Sequence, residues 1–350
     1  YFQLTLDKGR RCSSAVAYLK PARDRKNLTV ITHAQAEKLL IKDGRTTGVT
    51  VNIKGTSQDI MARREVILSA GTIGSPQILM LSGIGAADDL KQQGITVVHN
   101  LPGVGKNLQD HLQARPVFKT HLSTINIETN NLLKQGMIAL QYALTQTGPM
   151  TMAASLGTAF LKTDPTLDTP DIQFHIQPFS ASAPADGPHK FSAFTASVLQ
   201  MRPESTGHIA LKSADWRDHP AIHPNYLATE LDQNTIVKGI QIARKIAQFE
   251  PLKANIIEEF IPGLGVAFDD YDATLTWARD NSVTIYHPTG TCKMGQDDMA
   301  VVDARLRVHG IKGLRVADCS IMPTITSGNT NAPAIMIGEK LSDMVLADAK

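Results

Sequence analysis

Hydrophobic positions alternate with polar ones along the first part of the chain and then form one unbroken run. Residues 27–32, 37–41 and 46–55 mix β-branched and polar residues, and an Asp-Gly pair at 43–44 separates the second stretch from the third. This alternation predicts a small antiparallel unit of three strands. The continuous apolar run at 66–68, which ends in small residues, predicts a buried strand that leads into a tight turn.

The rest of the chain changes repeatedly between strand and helix periodicity. Ser75 suits the cap and Pro76 the first position of a short helix that follows the buried strand. Elsewhere, alternation of period two indicates strands of an antiparallel sheet, and apolar spacing of i, i+3, i+4 indicates amphipathic helices. The predicted strands are 171–180, 191–201 and 207–216, and the predicted helices are 130–146, 231–252 and 269–282.

Composition and charge exclude several classes of protein. With 42% hydrophobic and 19% charged residues in 350 positions, the chain can bury a sizeable core. A net charge of +2 without a basic block argues against nucleic-acid binding. Cys12, Cys292 and Cys319 have neither zinc-ligand nor disulfide-framework spacing, so we expect neither. No apolar run approaches the roughly 20 residues of a transmembrane helix.

The stretch 284–295 presents a histidine on a loop. His287 precedes a proline, where the backbone favours an extended form, and Gly290 and Gly295 let the following turn pass close to a bulky group. An imidazole in this setting suits a general base, because its unperturbed pKa of about 6.5 lies near neutrality. A hydrogen-bonded structural histidine explains the same residues, since similar loops occur at His219 and His223.

The segment 314–346 predicts a ligand site at the end of a strand. Asp318 follows a buried strand that ends at Val316, where a carboxylate can accept from a ligand hydroxyl or a backbone amide. Asn331 suits the cap and Pro333 the first position of a buried helix. The N-terminus of such a helix favours an anion, or a cofactor edge that becomes negative on reduction. A well-capped structural helix explains the same pattern.

The order and the amino-acid sequences of these segments resemble those of one family, the glucose-methanol-choline (GMC) oxidoreductases, which oxidise alcohols with FAD. The resemblance covers nearly the whole chain. It is carried by the segments GRRCSSAVAYLKPA, THAQA, VILSAGTIGSPQILMLSGIG, LPGVGKNLQDHL and HPTGTCKMG and by the block from Leu314 to Asp348. Among members, the segments are similar in sequence to those of bacterial alcohol dehydrogenases and choline dehydrogenases that pass electrons to acceptors other than oxygen.

The resemblance implies two catalytic positions. His287 matches the histidine that faces the flavin and takes the proton of the substrate hydroxyl, while hydride moves from the α-carbon to flavin N5. Asn331 matches the second active-site position, which is histidine in some members and asparagine in others. His111, in a polar cluster with Asn107 and Asp110, is a further candidate for the base.

The resemblance also implies five cofactor-binding positions. Asp318 and Cys319 match the strand-end pair near the flavin ribityl and pyrophosphate, and Ala332 and Pro333 lie where the backbone meets the isoalloxazine. Ala36 falls where members usually have valine, whose main chain touches the adenine. Cys319 is usually alanine in the family. Both of these departures are small changes.

One family feature has no match in these 350 residues. Members carry a βαβ unit with a G-x-G-x-x-G-like loop for the ADP pyrophosphate, and the glycine clusters at Gly71/Gly74 and Gly103/Gly105 lack its context. The chain therefore resembles the C-terminal two-thirds of such an enzyme, and we expect it to hold FAD weakly when alone.

The resemblance implies a mixed α/β (α+β) fold, with an FAD-binding domain that lacks its N-terminal βαβ unit and a substrate domain of antiparallel sheet and helices. We expect residues 1–115 and 286–350 to form parts of the FAD-binding domain. Residues 116–285 are expected to form the substrate-binding domain, and residues 286–350 include the active-site loop.

The expected reaction is oxidation of a primary or aliphatic alcohol to the aldehyde. Choline is the alternative substrate, but aromatic faces usually hold quaternary ammonium groups, and only 5% of the residues are aromatic. An alternative of another class is a non-catalytic or incomplete module. A Ser-His hydrolase is disfavoured, because no G-x-S-x-G motif occurs. We expect a cytoplasmic protein, with peripheral attachment to the inner membrane left open, and neither the electron acceptor nor the oligomeric state follows from the sequence.

Overall fold

Two compact units make up the chain in the computed structural model, which describes residues 1–153, 155–182 and 187–349. The first unit combines residues 1–28, 112–201 and 229–285, and the second combines residues 29–111, 202–228 and 286–350. Each unit is therefore assembled from three separate stretches. The expected roles of 1–115, 116–285 and 286–350 stay a prediction, and the observed units divide the chain at partly different points.

Helices and strands both contribute substantially, with 29% and 25% of the residues, so the predicted mixed α/β class is confirmed. The strands are β1 Leu6–Asp7, β2 Arg10–Arg11, β3 Ala34–Lys42, β4 Arg45–Ile53, β5 Thr56–Met61, β6 Val66–Leu68, β7 Ile84–Gly85, β8 His99–Asn100, β9 Leu112–Ala114, β10 Val117–Thr120, β11 Gly157–Leu161, β12 Ile172–Gln177, β13 Ala193–Gln200, β14 His208–Ala210, β15 Ala221–His223, β16 Ile256–Ile261, β17 Val283–Thr284 and β18 Leu314–Val316. The α-helices are α1 Lys20–Ala22, α2 Gly71–Leu81, α3 Ala87–Gln92, α4 Ile125–Thr129, α5 Leu132–Thr145, α6 Glu230–Ile246, α7 Tyr271–Asn281 and α8 Asn331–Asp348. Among the described residues, no helix is both long enough and apolar enough to cross a bilayer.

An antiparallel sheet forms the centre of the first unit. Its strands run in the order β11-β12-β13-β10-β16, and β9 pairs with both β13 and β17. Helix α6 packs on β13, and a Cβ atom at Gly239 would come within 2.8 Å of the Val198 side chain. Glycine at this position therefore allows the helix to lie close against the sheet.

The second unit joins a three-stranded antiparallel sheet to a short parallel pair. The strands of the antiparallel sheet run in the order β3-β4-β5. In the parallel pair, β18 lies beside β6 and Leu314 is opposite Val66. Both strands of the parallel pair contribute to a core that also includes residues of α2 and α8, with Leu79, Leu314 and Val316 almost fully buried. The unit thus places the carboxyl ends of β6 and β18 side by side.

Helix α2 continues through an internal proline. Pro76 has no N–H to donate to the carbonyl of Thr72, four residues earlier. That carbonyl accepts instead from Thr291 Oγ1 at 2.6 Å. The hydroxyl therefore replaces the missing backbone bond, and α2 begins at Gly71 rather than at the predicted Ser75 and Pro76.

Several local expectations need correction. Residues 27–32 form no strand, and the third strand of the antiparallel unit is β5, at Thr56–Met61. Strand β14 pairs with β15 in a separate two-stranded sheet instead of joining β12 and β13. Helix α8 begins at Asn331 with Thr330 as its cap, so Pro333 is the third helical residue, a position where a missing N–H still costs no helical bond.

A buried arginine ties the end of α8 to the parallel pair. The Arg315 side chain on β18 is only 4% exposed, and its Nε donates to Glu65 Oε2 at 2.8 Å. Its Nη2 donates to Asp348 near the end of α8, and Nη1 donates to the Arg305 carbonyl at 2.9 Å. The hydrogen bond from Arg315 is the largest influence that lowers the pKa of Asp348 below its ordinary 3.8.

Asp348→Asn is expected to destabilise the protein at neutral pH and to lose that effect in acid. A carboxyl group whose pKa is lower in the folded state stabilises it above the ordinary pKa, and this contribution disappears as the pH falls through the folded value. Urea unfolding at about pH 7 and about pH 3 measures the difference between wild type and variant. Asp88→Asn is the control, because the Asp88 side chain, which pairs with Lys91, is 91% exposed. A difference as large at pH 3 as at pH 7 would contradict this account.

Candidate active site

The carboxylate of Asp110 joins two loops of the second unit. Its Oδ1 accepts from the backbone N–H of His111 at 2.9 Å and from the backbone N–H of His287 at 3.0 Å. Its Oδ2 accepts from the hydroxyl of Tyr226. Asp110 and both histidines are buried. One side chain thus fixes two histidines that are 176 positions apart in the sequence.

Backbone bonds hold the same two loops side by side. Gln109 and Thr289 exchange backbone hydrogen bonds of 3.0 and 2.8 Å, and the Thr72 hydroxyl donates to the Pro288 carbonyl at 2.7 Å. Gly290 has a φ of +94°, and a Cβ atom there would lie 2.3 Å from the Asn107 carbonyl oxygen. The close approach that the sequence predicted at Gly290 is therefore an approach to the chain's own backbone.

The imidazole of His287 lies between two nitrogen-bearing side chains. Its Nδ1 is 3.0 Å from Nδ1 of His111, and the two rings meet edge to face at 83°. Its Nε2 is 3.3 Å from Nδ2 of Asn329. His287 is therefore bonded at both ring nitrogens, with Nε2 on the side of the exposed Asn329.

Asp318 is engaged within the protein. Its Oδ2 accepts from the Gly71 N–H at 2.9 Å and from the Ser75 hydroxyl at 2.6 Å, and its Oδ1 accepts from the Ser320 N–H at 2.8 Å. The carboxylate thereby anchors the turn from β6 into α2. Burial and then the charge of Asp318 raise the pKa of the neighbouring Cys319 thiol, so that Cys319 is neutral at neutral pH.

The N-terminus of α8 presents donors to the surface. Asn331 and Ala332 are exposed, Pro333 is partly buried, and the Thr330 cap makes no side-chain hydrogen bond. In the part of the chain that the structure describes, the N–H groups of Asn331 and Ala332 bond to no other backbone group. Two amide donors and the positive end of an 18-residue helix are therefore available to a ligand.

The remaining predicted position lies on the antiparallel sheet. Ala36 is partly buried on β3, opposite Val51, and packs against the core of the second unit. Its main chain belongs to a bulge between Ala36 and Lys38. Its role toward a cofactor stays a prediction, as do those of Asp318, Cys319, Ala332 and Pro333.

The structure gathers residues around His287 that the sequence argument did not assign. The amide that meets His287 belongs to Asn329, two positions before Asn331, whose own side chain is exposed at the start of α8. The sequence indicates Asp110 only as part of a polar cluster and His111 as an alternative candidate for the base, and it gives no role to Tyr226. The adjacent Asp-His pair was a usable signal, whereas nothing near Tyr226 in sequence indicates its partner.

Two family models match the chain, and both are described as GMC oxidoreductase. The N-terminal model covers residues 1–113, and the C-terminal model covers residues 203–338. Together they include His111, His287, Asn329 and Asp318. The matched regions therefore contain the candidate site as well as the strand ends beside it.

Curated relatives and solved structures agree with these models. An alcohol dehydrogenase [acceptor] of Pseudomonas putida is 39% identical over 99% of this chain and 63% of its own length. An oxygen-dependent choline dehydrogenase of Cronobacter sakazakii is 41% identical over 97% of this chain and 60% of its own length. A formate oxidase structure from Aspergillus oryzae RIB40, studied for FAD modification, superposes with a TM-score of 0.91 at 27% identity, covering 98% of this chain and 64% of that chain.

The chain thus spans about 60% of the length of the curated relatives that it matches. The order of motifs, the two family models and a shared fold over almost the whole chain agree with one another. The chain belongs to the GMC oxidoreductase family.

Proposed function

We propose that this chain is part of an FAD-dependent enzyme that oxidises a primary or aliphatic alcohol to the aldehyde and passes the electrons to an acceptor other than oxygen. The observation that carries the proposal is the pairing of His287 Nε2 with the Asn329 amide, just before the N-terminus of α8. A proton acceptor and a hydrogen-bond donor, 3.3 Å apart, suit the two demands of an alcohol oxygen that loses its proton.

The residues present fit one part of FAD, its isoalloxazine. The amides of Asn331 and Ala332 at the positive end of α8 are donors of the kind that an electron-rich ring edge requires. Space is also open at Gly71, which has a positive φ and where a Cβ atom would meet nothing within 4 Å. Asp318 supports this region from behind, since its oxygens bond to Gly71 and Ser75. Bound FAD would supply the two-electron oxidant for the α C–H bond of the alcohol.

His287 and Asn329 act on the alcohol oxygen in this proposal. The hydroxyl donates to His287 Nε2, which takes the proton as the α-carbon gives up its hydride. Asn329 Nδ2 donates to the same oxygen and stabilises the negative charge that develops there. Because the Asp110 carboxylate bonds to the His287 backbone, its negative charge favours the imidazolium that forms.

The substrate class rests on the relatives and on composition. The Pseudomonas putida relative is an alcohol dehydrogenase, and a chain with only 5% aromatic residues offers few faces for a quaternary ammonium group. Choline is the alternative, because several relatives at 40–41% identity are choline dehydrogenases. Rates of flavin reduction with 1-butanol and with choline decide between the two substrates.

His287→Ala is expected to lower alcohol oxidation by about 10²- to 10⁴-fold, the usual contribution of a general base. The FAD-loaded enzyme should keep its flavin spectrum, because the change removes no donor of α8. Anaerobic flavin reduction by alcohol, followed in a stopped-flow instrument, measures the effect. His121→Ala, at an exposed position of the first unit, is the control and should leave the rate unchanged. Near-normal reduction in His287→Ala would remove the assignment of the base.

Asn329→Ala should slow flavin reduction by about 10- to 100-fold, because it removes a donor aimed at the developing charge. Asn331→Ala, two positions later, is the matched comparison and should cost less, since the exposed Asn331 side chain does not bond to His287. The same stopped-flow assay compares the two variants. If Asn331→Ala is the more damaging change, the original sequence assignment of the second catalytic position is the correct one.

A further inference from the structure

We infer that His111 is a positioning residue that holds His287 in the tautomer able to accept a proton at Nε2. The inference rests on the proposed function, because it explains how His287 is prepared for that role. The observation is the 3.0 Å contact between the two Nδ1 atoms, inside a site where both rings are buried.

The proton on His287 can be located from its other contact. Asn329 Nδ2 is an amide nitrogen, which donates and cannot accept. Its partner at 3.3 Å, His287 Nε2, must therefore be the acceptor and carry no proton in the neutral ring. A neutral imidazole has one N–H, so that hydrogen lies on Nδ1 of His287.

His111 accepts this hydrogen. Two nitrogens 3.0 Å apart need one donor and one acceptor, so Nδ1–H of His287 donates to Nδ1 of His111. This bond persists when Nε2 takes the proton of the alcohol, because His287 then carries hydrogen on both nitrogens. His111 therefore selects the reactive tautomer before the reaction and supports the imidazolium after it, as outer partners of catalytic and metal-bound histidines do.

Solvent does not reach the His111 ring. Its side chain is 0% exposed, and its backbone N–H is bonded to Asp110 Oδ1. The Asp110 carboxylate and the Tyr226 hydroxyl that donates to it are among the charged and titratable groups beside the pair. A protonated His111 would turn its Nδ1 into a donor and force His287 to accept there, which moves the neutral ring's hydrogen to Nε2 and removes the base.

The tautomer can be measured without any reaction. Long-range ¹H–¹⁵N correlation spectra of histidine-labelled protein distinguish a protonated ring nitrogen from an unprotonated one. The chain has 11 histidines, so the His287 signals are assigned by their loss in His287→Gln. We expect His287 to carry its hydrogen on Nδ1 in the wild type and to become a mixture of tautomers in His111→Leu. A His287 with hydrogen on Nε2 in the wild type would overturn the inference.

Kinetics of two variants separate positioning from packing. His111→Asn keeps a possible acceptor oxygen near the position of Nδ1, whereas His111→Leu removes it at similar volume. We expect the rate of flavin reduction to fall by about 10- to 100-fold in His111→Leu, and the acid limb of its pH profile to be displaced. In His111→Asn the rate should remain within about tenfold of wild type. Equal losses in both variants with an unchanged His287 tautomer would show a structural role and overturn the inference.

His287→Ala distinguishes failure of the inference from failure of the proposed function. If His287→Ala reduces flavin normally, the proposed function fails and His111 has no base to position. If His287→Ala is inactive while His111→Leu matches wild type in rate and in the His287 tautomer, only the inference about His111 fails.

Discussion

A single buried carboxylate, Asp110, determines the geometry of the candidate site. Three of its acceptor contacts join the loop that ends at His111, the loop that begins at Tyr286, and the side chain of Tyr226. Each hydrogen bond to a charged group contributes about 1.5–3 kcal/mol. Because two of these bonds are to the backbone N–H groups of the histidines themselves, the carboxylate fixes the backbone positions from which both imidazole side chains extend. The distances of 3.0 and 3.3 Å around His287 depend on that arrangement.

Asp318, at the neighbouring strand ends, likewise joins separate segments through its carboxylate. Its carboxylate accepts from Gly71 and Ser75 at the start of α2 and from Ser320 in its own turn. Such internal satisfaction explains how a charged group at the end of β18 is tolerated in a partly buried place. The two carboxylates therefore have a common structural task, which is to hold loops rigid where a ligand is expected. Rigid loops keep donors and acceptors in position without reorganisation during the reaction.

The sequence predicted local features best where one residue dictates the backbone. The His-Pro loop at 287, the strands at 66–68 and 314–316 and the helix over α5 all follow from proline, β-branched runs or apolar spacing. Strand 314–316 is buried throughout as expected, whereas in 66–68 only Leu68 is buried and Ile67 is exposed. Prediction failed where a distant partner decides. Helix α2 starts early because Asp318 and Thr291 supply bonds from about 220 to 250 positions away. The catalytic role of Asn331 stays a prediction, and the contact of Asn329 with His287 depends on how the chain enters α8. Residues 27–32 have strand composition, but β5 occupies the position beside β4.

In the proposed reaction the imidazole of His287 takes the alcohol's proton. The most direct test is rescue of His287→Ala by a series of substituted imidazoles, measured as the rate of flavin reduction by alcohol. If a base at this position accepts the proton, the rescued rate rises with the pKa of the added imidazole and with the fraction that is neutral. A His287→Ala enzyme that reduces flavin at the wild-type rate, or whose rescue does not depend on the pKa of the imidazole, would contradict the account.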